Sequence, residues 1–401
     1  MAGVIPVADA LAILRREIRP LDPEDVPLRR GLGRTLAREI VARDDFPHFD
    51  TTAMDGYAVR RAEVGAACRE RPGVVAAGDP VPAPLAPGEA LRVMTGAPLP
   101  PGAEAVVPVE EAVSEAGRLS WTKDPRPGAH VRLRGEIFRR GQTLAPPGAR
   151  VSPEIVLLCA TAGEDPVCVR RLPRAAVAPT GGEIVEPNAP LPEGRIRNGN
   201  GPALAAAFAR RGIAARELPP CSDRDADLDR LFAEAREVDL LVTSGGVSAG
   251  DFDRTTEAAV RAGFDLRFQG VAVKPGKPLA FGTRGAALWF GLPGNPVSAL
   301  TTFEIFVVEA LDLMAAAPSR RRFAPARLLA PLEHKGGREG LLDARAWLED
   351  GTLVAEPLAG RGSHDVAAAS RRNALLWVPA QGGSWPAGAH LPCLRLDDAS
   401  G

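Results

Sequence analysis

Apolar residues recur at helical spacing in "VADALAILRREI" from residue 7, and Pro20 closes that segment, so residues 7–42 read as mainly helical. From Phe46 to about Gln142 the period shortens. Apolar runs alternate with polar positions and are broken by Pro and Gly, as in "ALRVMTG", "AEAVVPVE" and "HVRLRGE", which predicts a β-rich unit. "SPEIVLLCATAG", residues 152–163, reads as a short helix packing back on the N-terminal one. The first domain is then discontinuous (1–45 and 142–172), with the β-rich unit (46–141) inserted into it.

Residues 173–320 alternate differently. Strands in "RAAVAPT", "IAARELP", "DLLVTSG" and "AALWFGLPG" are separated by helices in "GPALAAAFARRG", "DADLDRLFAEAREV" and "DRTTEAAVRAG" and followed by "NPVSALTTFEIFVVEALDLM". This order predicts a largely parallel, doubly wound α/β sheet, whose ligands bind beyond the carboxyl ends of the strands. Residues 321–401 return to short strands, "FAPARLLAPLE", "GTLVAEPLA", "NALLWVPA" and "AHLPCLRL", expected to form a small β-barrel-like domain. The fold class is α/β multidomain.

Composition narrows the functions. Lys plus Arg number 49 against 50 Asp plus Glu, and no dense basic stretch interleaves with aromatics, so nucleic acid is a poor partner. The five cysteines are scattered without metal-ligand spacing and read as reduced thiols. No basic region precedes the first apolar residues, and the longest uncharged run, 285–303, is interrupted by Pro293, Pro296 and "GNP". A cytoplasmic protein without a membrane segment is expected.

Only four lysines occur, Lys123, Lys274, Lys277 and Lys335, and two of them share "KPGKP". Where arginine is the habitual cation, that pairing suggests a need for two compact ammonium groups, held by prolines at a spacing suited to one multiply charged anion; the bland reading is a solvated turn. In "LLVTSGGVSAGDFD" a strand runs into Ser244, Gly245, Gly246 and Ser248, then Asp251 and Asp253. This is either a capped turn or an anion seat with carboxylates placed for Mg²⁺. "GLPGNPVSAL" puts Pro293, Asn295, Pro296 and Ser298 at a helix start, where backbone donors are free. Glu183 in "PTGGEIVE" occupies another strand end, and Asp55 and Thr95 lie in Gly-rich turns of the inserted unit.

"TTAMDGYAV", "RVMTGAPLPPGAEAVV", "TGGEI", "TSGGVSAGDFD", "KPGKP", "GLPGNPVSA" and "RGSHDVAAASRRNALLWVP" occur in the order found in the MoeA family, which the chain resembles from about residue 7 to its end. That family comprises the molybdopterin molybdenumtransferases and the C-terminal domain of gephyrin. The resemblance implies a MoaB/MogA-like α/β domain within a four-domain homodimer, with each cleft shared between subunits. It implies insertion of molybdate into adenylylated molybdopterin with Mg²⁺-dependent release of AMP. A MogA-like molybdopterin adenylyltransferase would act upstream, and apo-molybdoenzymes or carriers downstream.

By the same resemblance, molybdate would lie against Lys274, Lys277, Ser298, Arg338 and Ser363. Asp253 and Glu183 would fall in the crevice that handles Mg²⁺ and the pyrophosphate, with Asp223 nearby, and Asp55 and Thr95 would come from the inserted domain. The chain departs from the family pattern where Ile137, Gly182, Asn198 and Arg224 replace acids. Fewer carboxylates weaken Mg²⁺ binding, which leaves open a weakened paralogue that binds pterin or molybdate as a scaffold; a Gly-rich cradle beside carboxylates could equally serve a nucleotide pyrophosphate hydrolase.

Overall fold

The computed structural model describes residues 3–60, 67–121, 125–247, 254–318 and 323–396. Two compact units form. One comprises Met1–Glu24, Gly33–Ala37 and Val169–Gly401; the other comprises Asp25–Leu32 and Arg38–Cys168.

The smaller unit carries a six-stranded sheet in the order Ala105–Pro108, Gly56–Val59, Glu89–Val93, Cys68–Val75, Arg118–Trp121, Ala112–Glu115. Period-two alternation sends Ala58, Leu91 and Val106, which are cross-strand partners, into one buried cluster, and Tyr57, Val59 and Val107 into another. Both faces are therefore covered. The helix Pro153–Ala162 starts at Ser152, whose hydroxyl accepts the Ile155 N–H at 3.4 Å, and stops at Gly163 in the left-handed region at φ 79°. It packs on the short turn Leu28–Arg30.

In the larger unit the helix Val7–Glu17 packs on Val308–Met314 of the same unit's core. One sequence expectation is corrected here: residues 18–42 are not mainly helical, since they hold the strand Pro23–Val26, the turn Leu28–Arg30 and the strand Ile40–Val41. Pro20, Pro23 and Pro27 each remove a helix donor, and Gly33 takes φ 77°.

In the larger unit six strands line up as Ala215–Glu217, Ala175–Pro179, Leu240–Ser244, Ala287–Leu292, Ala280–Arg284, Asp265–Gln269. The first four are parallel, as expected; the last two are antiparallel and escaped the sequence reading. Alternate residues face opposite layers. Val177, Val242 and Phe290 meet Leu204 and Phe208 of the helix Asn200–Ala209 and Phe303 and Phe306 beyond Pro296, while Ala176, Leu241 and Trp289 meet Leu228, Phe232, Ala258 and Ala259. This two-sided burial makes the strands continuous apolar runs and leaves only their ends for polar chemistry.

Near the C-terminus five strands close into a ring: Glu339–Glu349, Thr352–Pro357, Phe323–Leu328, His390–Arg395 and Ala374–Val378, with Glu339–Glu349 pairing to both its neighbours. Alanines 326, 344, 346, 355 and 374 fill its interior, where little room exists. Its longest strand, Glu339–Glu349, was not read from the sequence. No helix among the described residues is long and apolar enough to cross a membrane.

Candidate functional site

The turn after Leu240–Ser244 is dictated by sterics. A Cβ at Gly245 would fall 2.1 Å from the Thr180 carbonyl oxygen, and one at Gly246 would fall 2.1 Å from Thr255 Oγ1, with φ at 112° and 62°. The Gly245 N–H donates to Leu292 O at 3.0 Å. It is spent on the fold, which corrects the expectation that it faces a ligand. Ser244 is 1 % exposed; its hydroxyl donates to Pro293 O at 3.1 Å and accepts from Asn200 Nδ2 at 2.7 Å.

The same Asn200 amide donates to Gly294 O at 2.8 Å, so one side chain fastens the "TSGG" turn to the "PGNP" turn. Its part was missed, although the helix start after "RNGN" was the signal available. Asn200→Ala is expected to lower unfolding free energy by about 1–3 kcal/mol, because it strips hydrogen bonds from a buried hydroxyl and a carbonyl; denaturant midpoints check this.

Glu183 and Asp223 occupy loops at neighbouring strand ends. Gly181 N–H donates to Cys221 O at 2.9 Å and Gly182 N–H to Asp223 Oδ2 at 3.3 Å, lacing the two loops together, while the exposed Glu183 carboxylate folds back over Gly181. Two of the departures from family acids have structural uses. Asn198 Oδ1 accepts the Gly201 N–H at 2.9 Å, capping the next helix, and Arg224 pairs with Asp227 at 3.1 Å. Beside Asp223 opens a cleft of about 520 Å³ lined by Leu218, Cys221, Ser222, Arg224 and Arg230 among others. Burial pushes the Cys221 thiol up to about 11, so it is protonated and unreactive at neutral pH.

Lys274 and Lys277 are exposed on a loop whose frame is fixed. Val273–Lys274 pairs in parallel with the start of Glu339–Glu349, Arg338 Nη1 donates to Val273 O at 3.3 Å, and the Lys277 carbonyl accepts the Val271 and Leu279 N–H groups, each at 2.9 Å. A Cβ at Gly276 would fall 2.4 Å from Thr302 Cγ2, so the loop lies against the helix Pro296–Thr302 that carries the buried Ser298. At the start of that helix Asn295 Nδ2 donates to Ser363 Oγ at 3.0 Å and Val297 N–H to Ser363 O at 3.1 Å. The Val297 donor is thus satisfied by protein, contrary to the picture of a helix start with free first-turn donors. Lys274, Lys277, Arg338, Asn295, Ser298 and Ser363 belong to segments in direct contact, and through Pro293 and Ser244 they join the strand ends next to Glu183.

In the other unit Asp55 and Thr95 are partners. Asp55 Oδ1 accepts both the Thr95 hydroxyl at 2.6 Å and the Thr95 N–H at 2.7 Å, and these bonds hold the carboxyl below its usual range. Ile137 is 63 % exposed there. Ser248, Asp251 and Asp253 lie outside the described residues.

Residues 5–163 match the MoeA N-terminal region (domain I and II), and residues 176–313 match the probable molybdopterin binding domain. Molybdopterin molybdenumtransferase 2 of Mycobacterium tuberculosis is 34% identical over 389 residues, covering 92% of this chain and 93% of that protein. Molybdopterin molybdenumtransferase of Bacillus subtilis is 31% identical, covering 99% of this chain and 95% of the relative. The crystal structure of a molybdopterin biosynthesis MoeA protein from Pyrococcus horikosii superimposes with a TM-score of 0.85 at 30% identity, covering 98% of this chain and 99% of that one. With both domain matches and near full-length similarity in agreement, the chain belongs to the MoeA family of molybdopterin molybdenumtransferases.

Proposed function

We propose that this protein is a transferase of molybdenum cofactor biosynthesis that inserts molybdate into adenylylated molybdopterin and releases AMP. The observation that carries the reading is the mutual anchoring of the lysine loop, the "PGNP" helix start, Arg338 and Ser363 beside strand ends that bear carboxylates. Molybdate is a compact dianion with four acceptor oxygens. Two ammonium groups, a guanidinium and two hydroxyls are the donors that hold such an ion by charge-assisted hydrogen bonds.

Among the described residues no group of three or more His, Cys, Asp or Glu is arranged to hold a metal. Glu183 and Asp223 nevertheless fit Mg²⁺, which takes one or two protein carboxylates and completes its shell with water and phosphate oxygens; the proposal adds Asp251 and Asp253 to that set. When bound, Mg²⁺ would offset the diphosphate charge as AMP departs. The protein's own work is positioning. The loops fix the dianion beside the pterin sulfurs, and no covalent nucleophile is required because the adenylate is already an activated leaving group. The caps and ion pairs made by Asn198 and Arg224 support the view that these two departures alter structure more than metal binding. The reading further makes the chain a homodimer, in which Asp55 and Thr95 serve the partner's crevice.

Supplying adenylylated molybdopterin, Mg²⁺ and molybdate tests this. Molybdate-dependent AMP release together with reconstitution of an apo-molybdoenzyme is the expected result. AMP release without molybdate would make the protein a hydrolase, and tight binding without turnover would make it a scaffold. Asp253→Asn is expected to lower turnover at least tenfold with an unchanged melting temperature; equal activity would remove Asp253 from the metal role.

A further inference from the structure

The proposed function sets Arg338 against molybdate, yet its guanidinium is loosely tied: among the described residues its tip is held by the 3.3 Å bond from Nη1 to Val273 O. Its aim is therefore set by the backbone that carries it. Arg338 ends the turn that joins the strand Leu332–His334 to Glu339–Glu349. Gly336 and Gly337 within that turn take φ 79° and 86° and supply no side chain, so a free turn of this composition would have many conformations.

The turn is fixed at its exit. A trans peptide sends its N–H and C=O to opposite sides, and the peptide between Arg338 and Glu339 is held at both. The Glu339 N–H donates to Ala272 O at 3.1 Å, just before the paired segment Val273–Lys274. On the other side the Arg338 carbonyl oxygen lies 2.8 Å from His334 Nε2. A carbonyl only accepts, so Nε2 carries the proton. The ring is itself confined: His334 is 7 % exposed, its backbone is paired with Gly383, and a Cβ at Gly340 would fall 3.1 Å from His334 Cε1 and 2.3 Å from Val378 Cγ2, so the long strand opens with a glycine that makes room for the imidazole.

We propose that His334 is a positioning residue for anion binding: by holding the Arg338 carbonyl it fixes the direction in which the Arg338 side chain leaves the backbone and keeps the guanidinium beside the lysine loop. The inference rests on the proposed role of Arg338. His334 touches no substrate and lies outside the ordered motifs.

Release of AMP from adenylylated molybdopterin, measured against molybdate concentration, tests this. His334→Leu, which keeps bulk and loses the donor, is expected to raise KM for molybdate about three- to tenfold, the effect of about one hydrogen bond. Its kcat and its binding of the adenylylated pterin should stay near wild type, a split that general damage to the fold would not give. His334→Gln, whose amide can donate to the same carbonyl, should recover most of the loss. Arg338→Met should raise KM by itself, and adding His334→Leu to it should change nothing further, because the two residues act as a unit. Unaltered molybdate saturation in Arg338→Met would overturn the proposed site and this inference with it. A defective Arg338→Met beside a normal His334→Leu, or a His334→Leu effect that persists without Arg338, would overturn this inference alone. The wild-type protein provides a test that needs no variant to fold: nitrogen NMR of the imidazoles should show His334 protonated at Nε2, with a resonance that shifts on saturation with molybdate. Protonation at Nδ1 alone, or no shift, overturns the proposal.

Discussion

Replacing Lys274 and Lys277 together by methionine is expected to lower kcat/KM for molybdate by about 10²–10⁴-fold, because each ammonium supplies a charge-assisted hydrogen bond to the dianion worth about 1.5–3 kcal/mol. Both side chains are exposed and the loop is held by its backbone: the parallel pairing at Val273–Lys274, the Lys277 carbonyl bonds and the contact of Gly276 with Thr302. The melting temperature should therefore change little, and binding of the adenylylated pterin should persist. Molybdate-dependent AMP release measured against molybdate concentration, beside thermal denaturation, separates these outcomes. Near-normal molybdate saturation in the double variant would remove the lysine loop from the site. Arginine at both positions is expected to restore charge but not activity, since a planar fork does not replace a compact ammonium.

The largest effect on stability is expected at Asp239, far from the lysines in chemistry though in the same unit. Asp239 is 8 % exposed, and its carboxylate accepts from Arg171 Nη1 and Nη2, Arg174 Nη2 and the Arg174 N–H. Burial alone would raise this carboxyl, yet the hydrogen bonds and charge of Arg171 and Arg174 outweigh it and hold the group well below its ordinary value of 3.8. Asp239→Ala leaves two guanidiniums facing each other; because Arg174 is largely exposed and can turn to water, the cost is about 2–4 kcal/mol, at or below the range for a fully buried pair.

The pH dependence follows in sign. The folded state gives up this proton more readily than the unfolded chain, so the stabilisation is complete above about pH 4 and fades as pH falls through that value toward the folded pKa. Unfolding midpoints of wild type and variant should be well separated at pH 7 and converge below about pH 4. A constant separation across that range would contradict the assignment.

Much of this protein is legible along the chain because the responsible forces are local. The switch from alternation in 46–142 to strand and helix in 174–319 is a matter of periodicity, and it gave the β unit and the parallel half of the α/β sheet correctly. The Pro, Gly and Asn punctuation marked "TSGG", "KPGKP" and "PGNP" as turns because left-handed φ values and missing donors belong to those residues themselves. The rarity of lysine singled out Lys274 and Lys277 with no structure at all.

What tertiary structure alone decided concerns partners distant in sequence. "EGLLDARAWLE" is rich in Ala, Leu and Glu and has the local preferences of a helix, but as Glu339–Glu349 it is a strand because the two edges of an open sheet must both be paired to close the ring. The helix Val7–Glu17 packs on Val308–Met314, a choice of one apolar stripe among several that periodicity cannot rank. Asn200 became a clamp only when Ser244 and Gly294 arrived beside it, and the peptide after Arg338 was pinned only when Ala272 arrived from far along the chain. Backbone preference and side-chain pattern act within a few residues, so sequence carries them; pairing of edges, hydrogen bonds across turns and sharing of buried charge depend on which surfaces meet, and that is settled only when the whole chain has packed.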